Sequence, residues 1–429
     1  MLEIRNALLA EGCIRNIQIK EGKIAGISSE PVYEEGEIFD VRGCYVLPGL
    51  VNLHVHFRVP GQSHKETLAT GTEAALRGGA TTVAMMPNTR PPIADQKSLS
   101  IIEGIIRDFQ SKNPRAINYQ LWFGATADNS HLFKEVARHP MVVGVKLFMS
   151  SAEGALLVKE VKLLRKIFAS CAEAGLPLAV HAENEWRIQA NLKRWDYPIL
   201  VNDHSFIRDP KAETAAVRLA LKLQKETGCR LYLCHLSLVE SIELARIAKE
   251  NGQDVWVEVC PHHLFISQHR LTGHKGELYK INPPIRDARQ VLNLQEYVLR
   301  KDVVDVIASD HAPHLMEEKL HMRYRKIPSG VPGLQELCPL VFNWVCEGKM
   351  EPERFVALTS GNPAILARLG SKGRLALGCD ADLVIIDPAA TTAFRNIDMA
   401  SKCGWTAYKG MKAVSKVVAT IVKGKINYP

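Results

Sequence analysis

Gly49-Leu50-Val51-Asn52-Leu53-His54-Val55-His56-Phe57-Arg58 ends an apolar run that begins at Tyr45, and the rest of the chain can be read outward from it. On an extended strand, residues i and i+2 leave on the same side. His54, His56 and Arg58 therefore point one way, provided the strand continues through them. Two neutral imidazoles side by side are half of a metal site, and a guanidinium next to them can grip a carboxylate or phosphate with two hydrogen bonds. A His-x-His pair alone is also an ordinary polar strand end, so its meaning depends on the remaining sequence.

The same unit recurs along the chain. Eight β-rich runs end in polar or small residues: Tyr45–His56, Thr81–Asn88, Asn118–Thr126, Val142–Phe148, Leu178–Glu183, Arg230–Ser237, Val255–His262 and Val303–Asp310. Helical stretches lie between them, at Lys65–Leu76, Lys97–Phe109, Val158–Ala174, Lys211–Thr227, Leu238–Asn251 and Arg289–Leu299. Their apolar residues recur at three- and four-residue spacing, as in Val158, Val161, Leu164 and Ile167-Phe168. Eight strands alternating with helices, with no Gly-x-Gly-x-x-Gly after the first, predict an α/β fold of the (β/α)8 TIM-barrel type and not an open dinucleotide-binding sheet. Before Val46 the pattern is short alternating strands broken at Glu11-Gly12, Glu21-Gly22 and Glu35-Gly36, and short strands return beyond Gly373. The expected division is a barrel over residues 49–372 and one small β-sandwich-like domain built from residues 1–48 and 373–429.

Composition narrows the class. The chain has 429 residues, 46% apolar and 23% charged, as in a soluble globular protein. Its 54 basic and 46 acidic residues give a scattered net charge of +8, with no basic run of the kind that marks nucleic-acid binding. No segment reads as a membrane span or secretory leader, and the ten cysteines show no disulfide or C-x-x-C spacing. A cytoplasmic enzyme acting on a small molecule is expected, with no nucleic-acid or membrane partner, and a homodimer is the default for such a barrel.

Barrel active sites lie where the strands end. The first run ends in His54, His56 and Arg58, the second in Met86-Pro87-Asn88-Thr89, and the fourth carries Lys146. The fifth ends in His181, the sixth in His235, the seventh in His262-His263, and the eighth in Asp310-His311-Ala312-Pro313-His314. His54, His56, His181, His235 and Asp310 supply four imidazoles and a carboxylate, more than one catalytic zinc ion uses, which suggests two Zn2+ or similar ions sharing a bridging hydroxide. A bridge from the protein is also needed. Lys146 could provide one only as a carbamate formed with CO2, since an ammonium repels cations; the alternative is a lysine ion-paired with Asp310 or with a substrate anion. The bridging hydroxide would attack a polarised carbonyl, and Asp310 would carry the proton to a leaving nitrogen. Arg58 and Asn88 read as substrate holders, with a carboxylate as the natural partner of Arg58. The turn-rich stretch Pro328-Ser329-Gly330-Val331-Pro332-Gly333 can bring bare backbone close to a ligand.

At this point the residues resemble a family. The first stretch, followed by Pro60-Gly61, is similar to the first motif of dihydroorotases in the amidohydrolase superfamily, in their class I-like form with a bridging lysine. Ala308-Ser309-Asp310-His311-Ala312-Pro313-His314, with Lys319 after it, resembles their second motif. Met86-Pro87-Asn88-Thr89, Asn282-Pro283-Pro284 and Pro332-Gly333 fit in kind and order. The resemblance implies reversible zinc-dependent exchange between L-dihydroorotate and N-carbamoyl-L-aspartate in pyrimidine synthesis. It implies His54 and His56 on one metal, His181 and His235 on the other, carboxylated Lys146 between them, and Asp310 as ligand and proton shuttle. Arg58, Asn88 and His314 would hold the substrate carboxylate, with Asn282 and the backbone at Pro332 and Gly333 facing the ring. Asn52, Val59 and Cys260 depart from the usual aspartate, glutamate and threonine.

Two other functional readings stand beside this one: a related cyclic amidase of dihydropyrimidinase, hydantoinase or allantoinase type, and a silent scaffold homologue. The first would share the metal site but lack use for Arg58 and His314; the second usually loses metal ligands. For His262 and His263 a packed role beside the site is expected, His311 is expected to point away from it, and His64, His131, His139, His204, His269, His274 and His321 are expected at the surface. Trp122, Trp186 and Trp256 are expected in the core or an interface.

Overall fold

The computed structural model describes residues 1–31, 36–150, 154–194, 198–300 and 302–428. Eight parallel strands pair in sequential order: β1 (Leu50–Val55), β2 (Ala80–Met85), β3 (Asn118–Gly124), β4 (Val142–Phe148), β5 (Leu178–His181), β6 (Leu231–Leu233), β7 (Val255–Val259) and β8 (Val306–Ile307). The ring closes just past the ends of β1 and β8. Val55 and His311 form a parallel bridge there, and His56 N–H donates to His311 O at 2.8 Å. Each strand overlaps one of the eight runs read from the sequence.

The run Tyr45–His56 is two strands and not one. Tyr45–Pro48 belongs to a different sheet, and the chain crosses into the barrel at Gly49. A side chain there would collide with Thr81, whose Cγ2 lies 2.2 Å from the position a Cβ would take, so the crossing needs glycine. A second irregularity follows between Asn52 and Val55. Val51 and Leu53 pack in the barrel's inner cluster, whereas Val55 packs in the outer layer. The break in register therefore lets His54 turn inward beside apolar neighbours that would otherwise hold that face.

Alternation decides the rest of the interior. Ala84, Trp122, Ala179, Tyr232 and Val306 form the inner cluster, while Val83, Phe123, Val180, Leu233 and Ile307 pack outward against the helices. Trp122 and Tyr232 stack at 5.9 Å between ring centroids, and Trp122 Nε1 donates to Leu53 O at 2.8 Å. Burying side chains of this size stabilises by about 2–3 kcal/mol each. The outer helices begin at polar caps: Thr67 accepts from Thr70 N–H at 3.1 Å before Leu68–Arg77, and Asp95 from Ser98 N–H at 2.7 Å before Gln96–Lys112. Helix Leu68–Arg77 thus starts three residues later than expected.

The chain ends meet in one mixed eight-stranded sheet. Its central strands are Leu383–Asp387, Tyr45–Pro48 and Leu2–Leu8, flanked by Lys416–Val422 and Lys425–Tyr428 on one side and by Ile14–Lys20 and Lys23–Ser28 on the other. Glu37–Asp40 adds to Leu2–Leu8. Of the turn expected at Glu35-Gly36, Glu35 lies outside the described residues. Between Thr392 and Ala413 the chain leaves this sheet and buries Phe394, Trp405 and Tyr408 against Ile281, Val331 and Leu340. Trp405 Nε1 donates to His314 O at 2.8 Å, so this tail supports the loop after β8.

Candidate active site

The strand ends open into a cavity of about 1340 Å³. Three expected site residues reach it through left-handed backbone: Arg58 (φ 58°), His235 (φ 38°) and Asp310 (φ 41°). Each such turn costs a non-glycine residue roughly 1–2 kcal/mol. The strand itself stops at Val55, so Arg58 faces the cavity because the chain turns there and not because alternation continues.

The imidazoles and Asp310 converge. Asp310 Oδ1 lies 3.3 Å from His54 Nε2 and 3.1 Å from His56 Nε2. His181 Nδ1 lies 3.0 Å from His235 Nε2. Donor atoms of His54, His235 and Asp310 all fall within 4.8 Å of one another, and each residue is buried. Imidazole nitrogens and a carboxylate on one buried floor fit a borderline divalent ion by donor chemistry. Burial opposes charge on Asp310, yet the adjoining His54 and His56 hold its carboxyl well below the usual range. Burial also opposes protonation of His54, but Glu258 and Asp310 together push it up to about 10, whereas burial takes His56 down to about 4.

Lys146 is fully buried on β4, with Nζ 3.0 Å from Cys234 Sγ and 5.2 Å from the Phe148 ring centroid. Among the described residues no carboxylate lies within ion-pair distance of it, which removes the pairing with Asp310 weighed above. A buried ammonium without a counter-charge is costly.

Three buried carboxylates were not foreseen as parts of the site. Glu258, the inward residue of β7, faces His54 Nδ1 at 2.8 Å, accepts His235 N–H at 2.7 Å and takes the Tyr232 hydroxyl. It fixes which ring nitrogen of His54 is free to face Asp310. Glu183 lies 2.8 Å from His181 Nε2 and pairs with Arg208. Glu66 faces His311 Nε2 at 3.1 Å and also takes the Ser401 hydroxyl. An acid inside the apolar run Val255–Val259 was the available signal for Glu258; nothing local marks Glu66. His311 points away from the cluster, as expected, and its Nδ1 accepts Gly333 N–H at 3.2 Å. Asn52 ties β1 to the end of β8, with Nδ2 2.9 Å from Ser309 Oγ.

On the substrate side, Arg58, Asn88, Asn282 and His314 line the cavity. Asn88 Oδ1 lies 2.6 Å from His56 Nδ1, and Asn282 Oδ1 is buried without a partner among the described residues. Arg58 donates to Pro313 O at 3.2 Å and lies 3.0 Å from His314 Nε2. Burial pulls Arg58 down to about 10, so it stays charged near neutrality, and burial with the neighbouring Arg58 and Lys65 keeps His314 well below its ordinary value. The same His314 Nε2 also lies 3.2 Å from Ser329 O, and Nδ1 lies 3.1 Å from Lys65 Nζ. Pro328, Ser329 and Gly330 form part of the wall, and Pro332 and Gly333 follow directly after them. His262 and His263 are buried with ring centroids 4.3 Å apart and do not line the cavity. His204, expected at the surface, is 1% exposed and bridges Tyr324 Oη and Ile281 O. Trp122 is buried, while Trp186 is exposed and lies under Lys159.

Known proteins resemble the chain over nearly its whole length. The chain is 34% identical over 412 residues to a dihydroorotase from Methanosarcina mazei, covering 93% of this chain and 87% of that one. It is 34% identical over 433 residues to a dihydroorotase from Halobacterium salinarum, covering 99% and 96%. Among solved structures, L-hydantoinase (dihydropyrimidinase) from Arthrobacter aurescens superposes with a TM-score of 0.91 at 28% identity, over 99% of this chain and 95% of that one. No helix among the described residues is long and apolar enough to cross a membrane. The amidohydrolase family model matches residues 45–427, the span that carries every strand end described above, and the chain belongs to that family as a cyclic amide hydrolase.

Proposed function

We propose that the ring opened and closed by this enzyme is that of L-dihydroorotate, exchanged reversibly with N-carbamoyl-L-aspartate, as in the pyrimidine-forming reaction for which its dihydroorotase relatives are named. One observation carries this choice. Arg58 is 6% exposed, faces the cavity, and has no acidic partner among the described residues. A buried guanidinium left unpaired is unfavourable unless a ligand supplies the anion. Dihydroorotate bears such a carboxylate; dihydrouracil and simple hydantoins do not. Asn88 and His314 adjoin the same spot.

For the metal floor we assign His54 and His56 to one ion, His181 and His235 to the other, Lys146 as a carbamate between them, and Asp310 beside the first. Two zinc or similar ions held there would make hydroxide available near neutral pH and polarise the ring carbonyl. The chain's own groups do the rest. Asp310, kept ionised by its imidazole neighbours, takes a proton at a carboxylate oxygen and returns it to the leaving ring nitrogen. Glu258 and Glu183 hold the tautomers of His54 and His181 while this happens. Carbamate formation at Lys146 would replace a buried, unpaired cation with an anion.

The likeness to hydantoinases favours the same floor with a different ring. The test is hydrolysis of L-dihydroorotate, dihydrouracil and allantoin in parallel by zinc-loaded protein. Turnover of dihydroorotate, lost in Asp310→Ala, is expected. Preference for dihydrouracil or allantoin refutes the assignment while keeping the chemistry.

A further inference from the structure

After β8 the chain runs along one side of the cavity as a strap, residues 315–331, whose Pro328, Ser329 and Gly330 form part of the wall. On the neighbouring side, the loop after β7 presents Asn282. The two are joined by lysines that the proposed chemistry does not use. Lys319 is fully buried, and its ammonium donates to Lys280 O at 2.8 Å, Pro328 O at 2.9 Å and Gly330 O at 3.0 Å. Lys280, two residues before Asn282, donates in turn to Tyr324 O at 2.9 Å and Ile327 O at 2.7 Å, with Nζ 4.1 Å from the Tyr324 ring centroid. Gly330 N–H returns to Lys280 O at 3.0 Å. His204 closes the unit from below, between Tyr324 Oη and Ile281 O.

All three N–H bonds of Lys319 are therefore spent on carbonyls from two different loops. Among the described residues neither lysine has an acidic partner. A buried cation is a poor way to stabilise a fold; three converging donors on one compact head are a good way to fix three carbonyls at once. A planar guanidinium cannot converge on them, and a neutral side chain leaves them unpaired. The strap also carries Ser329 O, which meets His314, so its position bears on the carboxylate grip.

We propose that Lys319, with Lys280, is a positioning residue that locks the strap and the Asn282 loop into one substrate-facing wall. This rests on the dihydroorotate reading for its kinetic test but not for its physical one. In Lys319→Met, loaded with zinc, KM for L-dihydroorotate is expected to rise about tenfold or more while kcat changes less than about threefold. Trypsin should cut the strap at Arg323, Arg325 or Lys326 about tenfold faster than in wild type, because the open form is more populated. Lys319→Arg should restore neither property. An unchanged KM with an equally resistant strap overturns the proposal, and so does full recovery in Lys319→Arg. If wild type does not turn over dihydroorotate, the substrate reading fails and the trypsin arm alone decides. If Lys319→Met does not fold, hydrogen exchange on the wild-type chain decides. The amides of 280–282 and 324–331 should open as one unit, with rates within about threefold, and a separation beyond about tenfold refutes the lock.

Discussion

Replacing Arg58 by methionine should weaken catalysis and leave the fold as stable as before or more so. The two signs come from one fact, the burial of a guanidinium with no acid within ion-pair distance among the described residues. On the stability side, Arg58→Met removes the hydrogen bond to Pro313 O at 3.2 Å and the contact with His314 Nε2 at 3.0 Å, each worth about 1 kcal/mol. It also relieves the desolvation cost of a buried cation, about several kcal/mol, which Asp310, Glu318 and Glu66 offset only from beyond ion-pair distance. On the activity side, a carboxylate about 4 Å from the guanidinium gains roughly 4 kcal/mol at an effective dielectric constant of about 20. After the ligand's own desolvation, about 2–3 kcal/mol remains, so kcat/KM for dihydroorotate should fall roughly 30- to 150-fold. The assay is the initial rate of ring opening for dihydroorotate and for dihydrouracil, with thermal unfolding followed on the same metal-loaded samples. Any slow dihydrouracil turnover should change less than about threefold, because that ring lacks the carboxylate. Two results would refute the reasoning: an equal loss for both rings, or a melting temperature lowered by more than about 4 °C, which would mean Arg58 is structural.

Two further outcomes follow from other residues. Glu258→Gln keeps an acceptor for His54 and His235 N–H but removes the charge, so metal affinity by chelator competition should drop about 10- to 100-fold with activity recovered by added metal; unchanged affinity would show that Glu258 does not act through the metal floor. Asp380 joins Lys23 and Lys372 in the terminal sheet, and although burial opposes it, those contacts hold its carboxyl at about 2, below the ordinary 3.8. Because the folded value is the lower one, its contribution is complete above about pH 4 and disappears as pH falls toward 2. The stability gap between wild type and Asp380→Asn should therefore shrink over that range in urea titrations, and a gap independent of pH would refute the linkage.

The sequence revealed the barrel because the eight runs are bounded by changes of hydrophobic period, and each overlaps a strand. It revealed the imidazoles and Asp310 because polar residues at the ends of apolar strands stand out. It misled where one apolar run crosses between sheets, since Tyr45–Pro48 and Leu50–Val55 differ in partners and not in composition. Glu66 and His204 were illegible for a related reason. Both lie in polar local sequence, and only distant contacts, with His311 and Ser401 for one and with Tyr324 and Ile281 for the other, bury them.

The shared shape with hydantoinases and the proposed choice of an acidic ring rest on different parts of the same barrel. The floor is set by strands: β4 and β5 place Lys146 and His181 by alternation, the register break in β1 turns His54 inward, and Glu258 of β7 braces His54 and His235. Such positions tolerate little change, since a shift of one residue turns a ligand to the outer face. The proposed carboxylate grip belongs to the loops after β1 and β8. Arg58 and His314 are 256 residues apart, yet they touch because the barrel closes between its first and last strands at Val55 and His311. The strap that follows His314 then fixes the wall through Lys319. On the proposed reading, substrate choice sits at that seam and the chemistry lies beneath it, so a hydantoinase that shares this fold at a TM-score of 0.91 need not share the ring.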